Sequence, residues 1–330
     1  MGIRGLRSWI QWACPHTIQE PVWESFRGQT IGIDILGLLY FAKSHKQCPF
    51  QYLGKLIASI KRYEIRIVPI FDGKPPIEKL ETIKQRGHIR DESIKKRSIL
   101  EHDLDTVPLS NTQRSTVELE IQKLDKKGSY VSSEERELAK QIFYACGIVP
   151  LNATGEADNV LAYFAKRGIF HAVISNDFDI LARGVEILLV PEYYALPGDT
   201  SGWSQYSLSN ILRAVQFQYD QFLEMCVLMG SDYTSGTPPL PCKMAFWSIK
   251  YGGSFTNALT KLHVTDPTIF HSAIEMLRGE KETTETLMGE KQWEKWFHAK
   301  AQVEPEKLQE YRTSWFRTLT TAEFDLIRAE

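Results

Sequence analysis

The chain has 330 residues, 43% hydrophobic and 24% charged, an ordinary globular make-up for one large domain or two small ones. Its 39 Lys and Arg against 41 Asp and Glu leave a net charge of −2. That excludes a uniformly basic polyanion binder, so any such surface must be local and offset by acids gathered elsewhere. The five cysteines (Cys14, Cys48, Cys146, Cys226, Cys242) are scattered and form no CxxC pair, which argues against a disulfide framework or a zinc pattern. The opening MGIRGLRSWIQW lacks the apolar core of a signal peptide, and Leu6 stands where a myristoylation motif needs Ser or Thr. No apolar run approaches the ~20 residues of a membrane span. The expectation is a soluble intracellular protein without a membrane partner.

In chain order, three short apolar runs read as buried parallel strands: Thr30–Ile33, Arg66–Phe71 and His171–Ser175. Each precedes a helix-forming stretch, which predicts an α/β fold with a mostly parallel central sheet flanked by helices. Pro69 sits awkwardly in the second run, because proline is poorly tolerated in a central strand. Ile187–Val190 reads as a further strand.

Residues 74–97 hold eight Lys and Arg (Lys74, Lys79, Lys84, Arg86, Arg90, Lys95, Lys96, Arg97) against four acids, a local charge of +4. With few apolar residues to bury, this piece predicts a projecting, partly helical excursion that runs to about Ser133. Alone, such a run is a solvated helix face. Residues 220–262 read as helices around the proline-rich TPPLP. The last stretch reads as helical, with Trp293, Trp296 and Trp315 packing onto the body.

The acids are placed informatively. The first strand runs into Asp34, the second into Asp72, and the third into Asp177 and Asp179. Ligand sites of open α/β sheets lie beyond the carboxyl ends of the strands, so these acids converge on one rim. An extended chain at Asn176–Asp179 would point both aspartates to one side. Glu156 and Asp158 open a helix closed by Gly168, and its N-terminus favours negative charge. Asp232 follows an apolar helix. Any one of these is more often a turn residue or helix cap. Seven carboxylates together need cations, because buried unpaired charge is costly. Oxygen-only ligands point to Mg²⁺ or Mn²⁺, and so many suit two ions of the kind that support phosphodiester hydrolysis.

Six pieces in order carry a family resemblance: Met1-Gly2-Ile3-Arg4-Gly5-Leu6, Gly32-Ile33-Asp34, Val68-Pro69-Ile70-Phe71-Asp72-Gly73-Lys74-Pro75-Pro76, Gly155-Glu156-Ala157-Asp158, Ser175-Asn176-Asp177-Phe178-Asp179 and Leu228-Met229-Gly230-Ser231-Asp232-Tyr233. FDGKPP and GSDY are highly specific. Over about residues 1–262 the sequence resembles the flap endonuclease/XPG superfamily of 5′ nucleases.

The resemblance implies a PIN-like 5′ nuclease domain over 1–262. Within it fall an N-terminal part (1–98), a helical arch (about 77–133), an internal part (134–219) and a helix–turn–helix region (about 220–262). A C-terminal helical extension (263–330) follows. It implies that Asp34, Asp72, Glu156 and Asp158 hold one Mg²⁺, and that Asp177, Asp179 and Asp232, helped by Asp158, hold a second. Asp158 replaces the family's commoner glutamate and reaches one methylene less, which implies a bridging water. Lys79 and Arg86 stand where arch cations reach the scissile phosphate, seven and fourteen residues after Asp72. Gly2, Tyr40, Lys84, Arg90 and Lys243 are the implied DNA contacts; Tyr40 reads equally as a core tyrosine.

Two departures matter. Pro238-Pro239-Leu240-Pro241-Cys242-Lys243 replaces a glycine-bearing turn that holds duplex phosphates through backbone N–H groups, and proline has none to offer. Gln309-Glu310-Tyr311-Arg312 ahead of Trp315-Phe316 is only a broken echo of a sliding-clamp motif. The divergent C-terminus resembles nucleases carried by large DNA viruses, which implies either the nucleus or the site of viral DNA replication.

The expectation is therefore a 5′-flap endonuclease with 5′→3′ exonuclease action on branched DNA. Alternatives are an exonuclease on RNA or nicked DNA, a junction resolvase, or an inactive DNA-binding scaffold.

Overall fold

The computed structural model describes residues 2–75, 79–192, 202–234, 239–252, 255–261, 267–280, 282–288 and 302–329. Seven strands form one sheet: β1 (Ile18–Gln19), β2 (Thr30–Asp34), β3 (Arg66–Phe71), β4 (Leu151–Asn152), β5 (Ala172–Ile174), β6 (Ile187–Pro191) and β7 (Trp203–Ser207). Their order is β1-β7-β6-β5-β2-β3-β4. The run from β6 to β4 is parallel, whereas β7 joins β6 and β1 joins β7 antiparallel. Pro69 is accommodated because β4 pairs only with Ile70 and Phe71, leaving that side of β3 without a ladder at Pro69.

Strand alternation divides the core into two layers. Val68, Ile70, Val173, Leu188 and Val190 face one layer; Ile31, Ile33, Ile67, Phe71, Ile174 and Leu189 face the other. The first layer is covered by α1 (Leu6–Ala13), α7 (Ala157–Lys166), α10 (Tyr219–Met229), α11 (Cys242–Gly252) and α13 (Thr268–Arg278). The second is covered by α2 (Ile35–Ser44), α3 (Pro49–Arg62), α6 (Ser133–Ala145) and two C-terminal helices, Pro305–Ser314 and Thr321–Arg328. Trp315 packs on Phe50 with ring centroids 4.9 Å apart, while Trp293 and Trp296 lie outside the described residues. Among the described residues no helix is long and apolar enough to cross a membrane.

The basic excursion is two long helices side by side, α4 (Leu80–Thr106) and α5 (Asn111–Gly128). Its apolar content is thin: Ile121 and Leu124 are buried, but Ile83, Ile89 and Ile99 stay exposed. A capping box fixes the start of α5, where the side chains of Ser110 and Gln113 reciprocally satisfy backbone N–H groups. Lys46, just after α2, pairs with Asp125 of α5 at 2.7 Å, and Lys43 of α2 donates to the Tyr130 carbonyl just beyond α5, which holds this unit to the body.

β2 lies between β3 and β5, and the chain reverses direction across the sheet there, which places a cleft at its carboxyl end. Gly32 lets two helix-side residues close over β2: an added Cβ would lie 2.6 Å from Leu161 Cδ2 and 2.7 Å from Phe170 Cδ2. Gly32→Ala is expected to destabilise the protein by about 1–3 kcal/mol, the scale for overpacking a filled core. An unchanged denaturation midpoint in urea would show that the layer yields freely.

Candidate active site

β2 ends in Asp34, which caps α2 by accepting from the Gly37 N–H at 3.0 Å. The Ser175 hydroxyl donates to the other Asp34 oxygen at 2.9 Å and accepts from the Asp177 N–H at 3.0 Å, so one buried serine joins the ends of β2 and β5. Asp72 follows β3, and its Oδ1 accepts from the Ala157 N–H at 2.7 Å, fastening the start of α7 to β3.

Asp177 and Asp179 meet in a different way from the extended chain expected. A short helix, α8 (Asp179–Ala182), begins at Asp179, and Asp177 Oδ1 accepts from the Asp179 N–H at 3.0 Å. A side-chain-capped turn thus gathers the two carboxylates where strand alternation was expected to. Gly2, with φ +79°, sits against both: a Cβ there would collide with their oxygens, and the neighbouring Ile3 N–H donates to Asp179.

Glu156 occupies the N-cap position of α7 without a side-chain cap, and Asp158 lies in its first turn. Glu156 accepts from the Tyr233 hydroxyl at 2.6 Å, and that hydroxyl accepts from Arg183 Nη2 at 2.6 Å. The Lys79 ammonium lies 2.6 Å from Glu156 and 3.6 Å from Asp232. Arg86, seven residues along α4, donates from Nη2 to both Asp232 oxygens at 2.9 Å. Both arch cations therefore converge on Asp232.

The electrostatics follow from crowding. Burial pushes the Asp34 carboxyl up to about 7, helped by Asp72, and Asp179 up to about 7, helped by Asp177. Burial also raises Asp158 well above the usual range, with Asp177 and Asp34 adding to it. Asp72 is raised by burial against the Ala157 N–H, which favours its charged form. Burial works against the cations Lys79 and Arg183 too, yet the oxygens of Tyr233 and the neighbouring carboxylates outweigh it, so both are held more firmly protonated. Among the described residues no three of these acids close into a ready-made metal shell; Glu156 and Asp232 engage side-chain cations instead. Seven carboxylates outnumber the side-chain cations that meet them, among them Lys79, Arg86 and Arg183. That excess of anionic oxygen, without His or Cys, fits hard divalent cations.

The XPG N-terminal domain model matches residues 1–93 and the XPG I-region model matches residues 147–232, together more than half of the chain. The chain belongs to the flap endonuclease/XPG superfamily. Flap endonuclease 1 of Brugia malayi is 28% identical over 279 residues, 80% of this chain and 70% of that protein. The human Flap endonuclease 1 is 27% identical over 251 residues, 71% of this chain and 62% of that protein. Among solved structures, the flap endonuclease-1 from Methanococcus jannaschii aligns with TM-score 0.61 at 17% identity, covering 94% of this chain and 95% of that one. The catalytic core of Rad2 in complex with DNA substrate aligns at 0.62 and 16%, covering 98% of each. Both show the fold.

The other expected contacts of this XPG-family chain are spread out. Tyr40 is half-buried against the second core layer, and Lys84 is exposed on α4. Arg90 lies over the Tyr130 ring at 4.8 Å, and Lys243 over the Trp12 ring at 4.5 Å. Three residues at the rim escaped sequence reasoning as functional: Ser175, Arg183 and Tyr233. Arg183 was detectable in principle, since an arginine inside Ile180-Leu181-Ala182-Arg183-Gly184-Val185 must be buried with a partner. It is 1% exposed.

Because Asp34, Asp72, Asp158 and Asp179 bind protons more tightly folded than unfolded, stability is fullest below their unfolded values near 4 and falls as pH rises through about 7. In a chelator, the melting temperature is expected to be lower near pH 8 than near pH 5, with Mg²⁺ stabilising most at the higher pH. Melting curves with and without Mg²⁺ check this; a stabilisation by Mg²⁺ independent of pH would contradict it.

Proposed function

We propose that the chain is a structure-specific nuclease that cleaves branched DNA at a 5′ flap, with accompanying 5′→3′ exonuclease action. The observation that carries this reading is the carboxylate rim beneath two arch cations: Lys79 and Arg86 project from the start of α4 onto Glu156 and Asp232. The relatives named Flap endonuclease 1 and the Rad2 core solved with DNA support DNA as the substrate.

Asp34, Asp72, Glu156 and Asp158 would hold one Mg²⁺, and Asp177, Asp179 and Asp232, with Asp158, a second; Mn²⁺ would substitute. The excess of carboxylates over side-chain cations at the rim is of the kind that divalent ions neutralise. Bound there, the ions supply a nucleophile from water at neutral pH and charge stabilisation for the leaving oxygen.

The chain's own groups do the rest. Ser175 and the Gly37 N–H orient Asp34; the Ala157 N–H orients Asp72; Arg183 and Tyr233 orient Glu156. Lys79 and Arg86 are placed to exchange their carboxylate partners for the scissile phosphate and to stabilise its charge during transfer. Gly2 leaves the rim open for DNA, and Tyr40, Lys84, Arg90 and Lys243 would contact it farther out.

Residues 1–262 would form the nuclease domain, with its arch over about 77–133 and its helix–turn–helix over about 220–262; 263–330 would be the extension. The α4–α5 pair, about 40 Å along α4, is long enough to frame a single strand, which favours a flap over a junction. DNA as substrate implies the nucleus or, for a viral chain, the site of viral replication.

Asp177→Asn and Asp72→Ala are each expected to abolish cleavage of labelled flap DNA in Mg²⁺ while leaving its binding largely intact, since affinity comes mainly from phosphate contacts elsewhere. Equal cutting by mutant and parent would remove the metal assignment.

Lys79→Ala and Arg86→Ala should each slow single-turnover cutting by roughly 10²–10³-fold, the scale for one preorganised donor. A change confined to the dissociation constant would make either residue a binding contact alone.

A further inference from the structure

α1 and α11 pack together and leave an aromatic face uncovered. Trp12 is 42% exposed, Met244 53%, Trp247 43% and Tyr251 75%. On α11, Lys243, Trp247 and Tyr251 follow one another at four-residue spacing, so they form a single stripe along the helix. Trp12 meets Trp247 edge-on with centroids 6.3 Å apart, and Trp247 stacks nearly parallel on Tyr251 at 5.2 Å and 9°. Exposed apolar surface of this kind marks a binding site.

Charge identifies what binds. Residues 1–19 contain no Asp or Glu, and neither do residues 233–265, although the chain holds 41 acids. The same two stretches carry Arg4, Arg7, Lys243, Lys250 and Lys261. Glu192, from just beyond β6, does meet α1, but it is paired with Arg7. Lys243 lies 4.5 Å above the Trp12 ring, so a cation and an aromatic plane are presented together. Protein-binding faces are as apolar, but α1 and α11 carry no carboxylate of their own, which is matched to a polyanion.

The face also continues from the rim. Gly2 and Ile3 touch Asp177 and Asp179, Arg4 N–H donates to Gly230 O at 3.0 Å, and a Cβ on Gly5 would lie 3.7 Å from Cys242 Cβ at the head of α11. Tyr251 lies nine residues beyond Cys242, about 14 Å along the helix. A few nucleotides span that distance.

We infer that the Trp247–Tyr251 stack, with Trp12 and Lys243, is a stacking platform for unpaired bases of single-stranded DNA outside the catalytic rim. It rests on DNA being the substrate of that rim. A base laid on the outer face of Tyr251 extends the existing stack, and Lys243 is placed to meet phosphate. Stacking of this kind is indifferent to base identity. It also lies immediately after Pro239-Leu240-Pro241, where the missing N–H groups weaken a purely phosphate-based grip on duplex.

The test is anisotropy of a dye-labelled oligothymidylate titrated with the full chain in a chelator, so that no cutting intervenes. Tyr251→Ala and Trp247→Ala should each weaken single-strand binding by about 5- to 100-fold. Tyr251→Phe and Trp247→Phe should bind close to the parent, and the alanine variants should lose less on a blunt duplex of the same length. Because Tyr251 is 75% exposed, its alanine variant is expected to keep the parental melting temperature.

The platform is overturned if the parent does not bind the single strand, or if the alanine variants bind it as the parent does. It is also overturned if single strand and duplex lose equally, or if sedimentation shows a dimer that Tyr251→Arg dissolves, since a second copy would then cover the face. Flap cutting by the parent in Mg²⁺ is scored separately. Cutting with unaltered variant binding removes the platform alone, and binding that needs both rings without any cutting removes the nuclease reading alone.

Discussion

Mutual repulsion among carboxylates at the ends of β2, β3 and β5 is the constraint around which the rim is arranged. A parallel sheet delivers successive strand ends to one edge, so Asp34, Asp72, Asp177 and Asp179 cannot avoid one another. Left alone, the cost appears as carboxyls that hold their protons, as at Asp34 and Asp179. Three cations from two separate elements moderate it. Arg183 comes from the end of α8, Lys79 from the start of α4, and Arg86 from one to two turns further on. Arg183 is buried and has no path out, so it belongs to the fold. Arg86 is 41% exposed and approaches from the arch, so the balance it supplies depends on where the arch lies.

This division explains how two neighbouring carboxylates differ. Glu156 is fixed by a relay in which Arg183 donates to Tyr233 and Tyr233 donates to Glu156. Lys79 of the arch also lies 2.6 Å from Glu156, but the relay holds the other Glu156 oxygen from the body side. Asp232 has both oxygens engaged by Arg86 and lies next to Lys79, both of them arch residues. A phosphate between arch and rim would compete for these donors at Asp232 first. Ser175 plays the corresponding fixed role at β2 and β5, donating to Asp34 while accepting from Asp177.

How much of this could be read in the sequence depended on whether the signal was local. Strands β2, β3 and β5 were legible because each is a short apolar run ending in an acid, as at Ile31-Gly32-Ile33-Asp34. β1 and β7 were not, because Trp203–Ser207 mixes polar residues between its buried rings and Ile18–Gln19 is an edge strand two residues long. Their antiparallel pairing comes from tertiary contact. The arch betrayed its charge and its rough extent but not its two continuous helices. Contacts four residues apart, such as Arg97 with Glu101 at 2.8 Å, run along a helix that has no continuous apolar face to reveal it. The turn at Asp177 depended on a side chain capping its own backbone, which alternation rules do not contain. Arg183 and Tyr233 matter only through each other and Glu156, three residues distant in sequence.

The net charge of −2 conceals a molecule sorted by sign. The N-terminal 19 residues and a later stretch, 233–265, hold no acid, and α1 and α11 within them lie beside the rim's neighbours Gly2 and Gly5. A polyanion approaching the rim directly would meet repulsion, whereas one approaching along α1 and α11 meets Lys243 and the aromatic stripe first. Interactions between exposed charges fall off over about 8–10 Å at ordinary ionic strength, so surfaces this close are felt separately only at short range. The aromatic residues extend the reach of that approach where charge is sparse, because stacking is not screened by salt. Trp9 and Trp12 stand three residues apart on one helix, yet Trp9 is fully buried in the core and Trp12 is 42% exposed beside Trp247. A helix with tryptophans so spaced reads as core from sequence alone, and only the packing of α11 against α1 separates the ring that holds the fold together from the ring that faces outward.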